Sequence, residues 1–123
     1  MGLAQTTKGT WDPSTSSSIT VGPFTTAGLY RIGVDQSAMG AGDLVTISEQ
    51  QNDTGTYLEG RSETFGPPVA IPSAPAAGYQ PLFRSPSQDW DDTTTGIQYV
   101  LTYTTASGNT TPTAVDYFLN GIT

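Results

Sequence analysis

Hydrophobic residues in this chain alternate with polar ones over short segments that glycine, proline and asparagine separate. Alternation with a period of two predicts strands that have one buried and one exposed face. The pattern is clearest at 29–35, 43–50 and 97–104. The segments predicted as strands are 19–21, 29–35, 43–50, 56–65, 69–71, 82–84, 97–104 and 114–119. No segment has the period of an amphipathic helix, so the pattern predicts an all-β antiparallel sandwich.

The same alternation predicts which side chains form the core, because residues two apart share a face of a strand. The predicted core residues are Tyr30, Ile32, Val34, Val45, Ile47, Tyr99, Leu101, Tyr117 and Leu119.

Segment 56–65 has the pattern of a solvent-facing or edge strand, within which Gly60 predicts a bulge or a close approach. Simple alternation places Glu59, Arg61 and Glu63 on one face, where local ion pairing explains them. Six of the nine prolines lie in 66–86, and proline removes ladder donors, so only short edge strands are expected there.

Residues 1–18 are mostly polar and predict an N-terminal arm in front of a sandwich domain of residues 19–123. Trp11 has two interpretations: it caps the edge of the protein's own core, or it anchors the arm on a neighbouring subunit. Trp11, Pro13 and Trp90 are the candidate partner-binding residues. The first ten residues lack the features of a signal peptide, and no apolar stretch is long enough to span a membrane, so we expect a soluble protein without a cleaved leader.

Composition narrows the possible chemistry. The 123 residues form one domain and contain neither cysteine nor histidine, which excludes disulfides, thiolate metal sites and the Ser-His-Asp arrangement. The net charge is −7, and the four cations are scattered along the sequence, which argues against binding to a phosphate backbone. We therefore expect no catalytic residue, no cofactor and no nucleic-acid partner.

Two groups of residues in the sequence could bind a ligand. The first is an acidic cluster of Asp89, Asp91 and Asp92, which could hold a hard cation such as Ca²⁺. The cluster lacks the spacing of an EF-hand loop, so we expect a solvated loop and no metal site. Trp11, Trp90, Tyr57 and Tyr79 could form a sugar-stacking platform, although aromatic residues of a sandwich more often lie in its core or rim.

One segment of about twenty residues carries a family resemblance. It reads Gly28-x-Tyr30, then Asp35-x-Ser37-Ala38, then a turn of small residues that closes on Gly42-Asp43. This segment resembles a pattern in small virion proteins of tailed bacteriophages, and the rest of the chain resembles them only in outline. Such proteins are β-sandwiches, often jelly rolls, that decorate and cement capsids.

The resemblance implies a jelly-roll-like sandwich that binds the major capsid protein on the outer surface of a virion. It also implies a homo-oligomer, with a trimer favoured and a dimer possible. The alternative is a carbohydrate-binding sandwich module of a phage tail or fibre. Exposed coplanar aromatic residues would favour that alternative.

Overall fold

The structure is a computed structural model of the chain. It describes residues 4–24, 28–53, 55–67, 82–84, 88–90 and 96–122. Within these ranges, residues 4–7, 53, 82–84, 88–90 and 122 are described by their backbone alone.

The described part of the chain is built from nine strands and one turn of 3₁₀ helix, Gln36–Ala38. The strands are β1 (Ala4–Trp11), β2 (Ser18–Phe24), β3 (Gly28–Asp35), β4 (Leu44–Asp53), β5 (Thr56–Phe65), β6 (Leu82–Arg84), β7 (Gln88–Trp90), β8 (Ile97–Thr104) and β9 (Val115–Ile122). The prediction of an all-β antiparallel sandwich is confirmed.

The strands form two antiparallel sheets. In the first sheet the order is β1-β9-β3, and both β6 and β7 pair with the remaining edge of β3. In the second sheet the order is β2-β8-β4-β5. Side chains from both sheets meet between them: the rings of Trp11 and Tyr103 pack edge to face at 6.0 Å, and those of Phe24 and Tyr30 stack at 5.6 Å.

The pairs of strands are nested along the sequence. β4 pairs with β5, β3 pairs with β6 and β7, β2 pairs with β8, and β1 pairs with β9. Two further pairs, β3 with β9 and β4 with β8, join these ribbons into the two sheets. The first strand therefore lies beside the last, and every pairing except that of β4 with β5 spans a long stretch of sequence.

Alternation within the strands builds the core. In β8 the burial pattern alternates along the whole strand, with Ile97, Tyr99, Leu101 and Tyr103 inside. Eight of the nine predicted core residues are buried, and Tyr117 packs partly buried against them. The buried hydrophobic residues beyond that prediction are Trp11, Val21, Met39, Ile97, Tyr103 and Val115.

The prediction for the N-terminus requires a correction. Ala4–Trp11 is not an unpaired polar arm but strand β1, which pairs with β9 over eight residue positions. Ladder hydrogen bonds to a neighbouring strand hold a polar segment that has few apolar side chains to bury. The predicted boundary at residue 18 coincides with the start of β2, but a strand of the first sheet precedes it.

The central strand of the core offers a direct test of the fold. Leu101 is fully buried between Ile19 of β2 and Ile47 of β4, which are its register partners. Replacing Leu101 by Ala should lower the free energy of unfolding by roughly 2–5 kcal/mol, because the cavity is only partly refilled. Chemical denaturation measures this loss. Val100→Ala, on the opposite face of the same strand, is the control and should cost clearly less. Equal losses in the two variants would show that the face assignment is wrong.

Candidate functional site

The segment that carries the family resemblance forms the corner between the two sheets. It runs from β3 through the 3₁₀ turn to the start of β4. Asp35 caps the turn, because its carboxylate accepts a hydrogen bond from the backbone N–H of Ser37 at 2.9 Å. Met39, which follows the turn, is buried in the core. The polar residues of the motif thus shape a tight connection between two strands.

Asp43 is the most constrained polar residue of this corner. Its side chain is fully buried, and its two oxygens accept four hydrogen bonds. The donors are Tyr103 Oη at 2.5 Å, the Ala106 backbone N at 2.7 Å, Asn109 Nδ2 at 2.8 Å and the Gly40 backbone N at 3.0 Å. Three of these donors lie in β8 or in the loop after it. Asp43 therefore connects the loop before β4 to the loop after β8.

The hydrogen bonds decide the protonation state of Asp43. Burial by itself would raise the pKa of the carboxyl, but the hydrogen bonds from Tyr103, Ala106, Asn109 and Gly40 together lower it below its ordinary value. Burial also raises the pKa of the Tyr103 hydroxyl, and its bond to Asp43 raises it further. Asp43 is therefore an ionised acceptor and Tyr103 a neutral donor. Their hydrogen bond has a structural role, since it holds two loops together.

A second polar group lies on the inner face of β4 and β5. The register between these strands shifts between Glu49 and Gln50, and the extra residue on β5 is Gly60. The predicted bulge at Gly60 is thus confirmed. Before the shift Glu49 pairs with Arg61, and after it Gln50 pairs with Glu59.

The bulge also corrects the predicted grouping of charges. Arg61 bonds to Glu63 through Nη2 and Oε1, so local ion pairing is confirmed for that pair. Glu59 does not share their face, because the bulge places it opposite Gln50 on the outer side of the sheet. Glu49 takes its place beside Arg61 on the inner face.

These residues border a cleft of about 190 Å³ that opens to solvent. It is lined by Glu49, Gln51, Gly60, Arg61 and Ile97. The Glu49 side chain is only 6% exposed. Burial raises the pKa of its carboxyl, and the positive charge of Arg61 opposes that rise. The carboxylate of Glu49 can accept hydrogen bonds from groups that enter the cleft, and the guanidinium of Arg61 can donate them.

The outer face of the second sheet is of a different kind. A row of hydroxyls crosses all four strands in register, from Ser18 through Thr102 and Thr46 to Thr64. Ser18 and Thr102 lie 3.2 Å apart through their hydroxyl oxygens, and Thr46 and Thr64 lie 2.9 Å apart. A parallel row contains Thr20, Val100, Ser48 and Ser62. We call these two rows the hydroxyl face, and neither contains a charged residue.

The outer face of the first sheet does carry charges. Lys8 Nζ lies 3.3 Å from the carboxylate of Asp116 and 6.0 Å from the ring centroid of Phe118. Thr10 also donates a hydrogen bond to Asp116 at 2.8 Å. The first sheet therefore presents an ion pair on its outer face, which the two rows of the hydroxyl face do not have.

The three candidate partner-binding residues have different positions. Trp11 is 2% exposed and donates a hydrogen bond from Nε1 to the Ser16 carbonyl oxygen at 2.6 Å, so it belongs to the protein's own core. Pro13 is also buried, in the turn after β1. Neither side chain is available as an anchor on a neighbouring subunit. The backbone of Trp90 ends β7 and pairs with Gly28.

The other predicted ligand sites are only partly covered by the description. Asp89 is paired through its backbone with Leu29, whereas Asp91 and Asp92 lie outside the described residues. Where side chains are described, no cluster of three or more acidic residues could hold a metal ion. Trp11 cannot contribute to a sugar-stacking platform, because its side chain is buried in the core. Tyr57 is half-buried on β5, and Tyr79 lies outside the described residues.

Sequence reasoning missed Glu49 as a site residue, although a signal was present. Glu49 continues the inward-facing series that Val45 and Ile47 begin. A carboxylate on the apolar face of a strand is costly to bury without partners, so its position was itself an indication of a special environment.

Comparisons of the chain with protein-family models, curated proteins and solved structures found no match. Among the residues that the structure describes, no helix is long and apolar enough to cross a membrane.

Proposed function

We propose that this chain is a structural virion protein that decorates and cements a bacteriophage capsid by binding the lattice of the major capsid protein. The observation that carries the proposal is the corner formed by residues 28–43. The residues that resemble the phage pattern are the ones that shape this corner, with Asp35 capping the turn and Asp43 fastened to the distant loop. The resemblance thus falls on residues that have a fold-determining role.

The proposal includes a jelly-roll arrangement of the sandwich. Four nested antiparallel ribbons, with the first strand beside the last, are what results when a long hairpin curls into two facing sheets. Jelly rolls are double-sheet sandwiches of this kind and occur in viral capsid proteins and lectins. The observed strand orders β1-β9-β3-β6/β7 and β2-β8-β4-β5 support this interpretation.

A binding role also agrees with the chemistry of the chain. It contains no histidine or cysteine, and its most constrained carboxylate, Asp43, is occupied by four internal donors. We propose that the protein acts through its surfaces and not through a catalytic centre. Its location would be the outer surface of the virion.

Because Trp11 is internal, we place the capsid contact on the sandwich itself, at the hydroxyl face. Charged residues are depleted at the centres of protein interfaces, and this face offers hydroxyls without charges to desolvate. It also lacks large aromatic anchors, so each contact would be weak. Several copies must then engage together to gain avidity. We favour a trimer at three-fold junctions, with a dimer at two-fold positions as the alternative.

The test is co-sedimentation of the purified chain with expanded capsids of the phage whose major capsid gene lies beside its coding sequence. The double variant Thr20→Glu/Thr64→Glu places two carboxylates at exposed positions of the hydroxyl face and should weaken binding at least about tenfold, a loss of ~1.4 kcal/mol. Thr113→Glu, at an exposed position before β9, is the control and should bind like the wild type.

Two outcomes would contradict the proposal. If the unmodified chain does not sediment with these capsids, the cement function is wrong. If the chain binds but the double variant and the control bind equally well, the cement function stands and the hydroxyl face is not the contact.

A further inference from the structure

One arginine lies between two carboxylates on the inner side of β4 and β5. Glu49 pairs with Arg61 and Ile47 pairs with Glu63, and these four residues line one small space. Arg61 is bonded to Glu63, and its positive charge also acts on Glu49. When both carboxylates are ionised, the group has two negative charges and one positive charge. A single guanidinium therefore has to balance two acids.

The two carboxylates differ in their access to solvent. Glu49 is only 6% exposed, whereas the side chain of Glu63 is 30% exposed and that of Arg61 is 37% exposed. Water can therefore solvate the charge of Glu63 better than the charge of Glu49. Burying a charge costs free energy unless a partner compensates it, and the partner here is already hydrogen-bonded to Glu63. Glu49 is therefore the acid that gains more from a proton.

The groups that face Glu49 from the other packed strands are phenols. Tyr99 of β8 is its register partner, and Tyr30 of β3 in the opposite sheet lies close enough to act on the Tyr99 hydroxyl. Burial raises the pKa of both hydroxyls, so neither ionises in acid or neutral solution. Burial also raises the pKa of the Glu49 carboxyl, and the charge of Arg61 opposes this rise without cancelling it. Glu49 thus binds a proton at a higher pH than an ordinary glutamate does.

The position of Glu49 connects this proton to the edge of the sheet. In the described part of the chain β5 is the last strand of the second sheet, and its Arg61 lies beside Glu49. When β5 separates from β4, Glu49 reaches water and the pKa of its carboxyl returns to the ordinary value of 4.5. The paired state therefore binds the proton more tightly than the open state. The pairing of β5 is strongest in acid and weakens as the pH rises through the pKa of Glu49 in the paired state.

We propose that Glu49 is an acid-sensitive element that holds the edge strand β5 to β4 more tightly when it carries a proton than when it is ionised. Its cause is the competition of Glu49 and Glu63 for the one guanidinium of Arg61. Because β5 also contributes residues to the hydroxyl face, this element acts on the stability of that face. The inference does not depend on the capsid contact.

The experiment measures amide hydrogen exchange in the ¹⁵N-labelled full chain from about pH 4 to about pH 8, with each rate corrected for the intrinsic effect of pH. We expect the protection of the amides of Arg61, Ser62 and Glu63 to fall at least about threefold as the pH rises. The amides of β1 are the internal control, because β1 is an edge strand of the other sheet and its opening does not expose Glu49. In a ¹³C titration of the side-chain carboxyls, the pKa of Glu49 should lie above 4.5.

Three conservative variants separate the causes. Glu49→Gln removes the titrating group and keeps its shape, so the protection of β5 should no longer depend on pH as it does in the wild type. Glu63→Gln leaves Arg61 to Glu49 alone, so the pKa of the Glu49 carboxyl should fall. Glu59→Gln is the matched control, an acid of the same strand that the bulge places on the outer side, and it should behave like the wild type.

Four results would overturn the proposal. They are a Glu49 pKa at or below 4.5, protection of β5 that does not fall as the pH rises, a Glu49→Gln variant with the wild-type pH dependence, and a Glu63→Gln variant with an unchanged Glu49 pKa. If a variant does not fold, the two measurements on the wild type still decide. None of these measurements involves capsids, so a failure here is distinct from a failure in the co-sedimentation assay.

Discussion

Replacing Asp43 by Ala should lower the free energy of unfolding by about 4–6 kcal/mol. The substitution takes the acceptor away from four donors, the buried Tyr103 hydroxyl and three partly buried N–H groups, and each unsatisfied donor costs roughly 1–3 kcal/mol, with incomplete additivity. The donors belong to Gly40, Tyr103, Ala106 and Asn109, so two loops lose their connection together. Because domains of this size have a total stability of about 5–15 kcal/mol, a large fraction of the fold's stability depends on this one carboxylate.

Urea denaturation at neutral pH measures the loss. Asp35→Ala is the control in the same segment, since Asp35 accepts a hydrogen bond from the Ser37 backbone N–H at an exposed cap and should cost only about 1 kcal/mol. If Asp43→Ala costs no more than Asp35→Ala, the buried network does not stabilise the fold in the way we describe.

The contribution of Asp43 should also depend on pH in a defined direction. Its pKa is lower in the folded protein than the ordinary value of 3.8, so the folded state binds its proton less readily than the unfolded state. The stabilisation is complete above the ordinary value and disappears as the pH falls through the folded one. The difference in stability between the wild type and Asp43→Ala should therefore narrow in acid.

The sequence could predict several strands from signals that lie within each segment. Segments 56–65, 82–84 and 97–104 match β5, β6 and β8 residue for residue, and the Gly60 bulge follows from the position of a glycine within a strand. Each of these signals is local. The pattern of inward residues in β8 is enough to place Tyr99 and Leu101 in a core without knowledge of what they contact.

The remaining features depend on contacts between distant parts of the chain. Asp43 opens a strand in the sequence, but its role comes from Tyr103 and Asn109, which lie 60 and 66 residues away. Strand β1 has no apolar alternation before Trp11. Its place in the sheet comes from hydrogen bonds to β9, and Gly9 leaves room for the ring of Tyr117. Local periodicity contains no information about either arrangement.

Deleting the first 18 residues should abolish cooperative folding. The deletion removes β1, which exposes the edge of β9 along eight paired positions. It also removes Trp11, whose indole packs edge to face on Tyr103 and donates to the Ser16 carbonyl oxygen. Truncating a buried tryptophan alone costs roughly 3–5 kcal/mol, and the lost ladder adds to that. A thermal melt followed by circular dichroism, with the dispersion of amide signals in solution, measures the outcome.

Lys8→Ala tests whether the effect belongs to the strand or to its charges. Lys8 lies on β1 with its side chain 60% exposed, and its ion pair with Asp116 is on the surface, so this variant should melt close to the wild-type temperature. A truncated chain that melts cooperatively at the wild-type temperature would show that residues 1–18 are a dispensable arm after all. If instead the truncated chain unfolds while Lys8→Ala does not, β1 is part of the sandwich. Any loss of capsid binding in the truncated chain would then be caused by unfolding and not by the removal of an anchor.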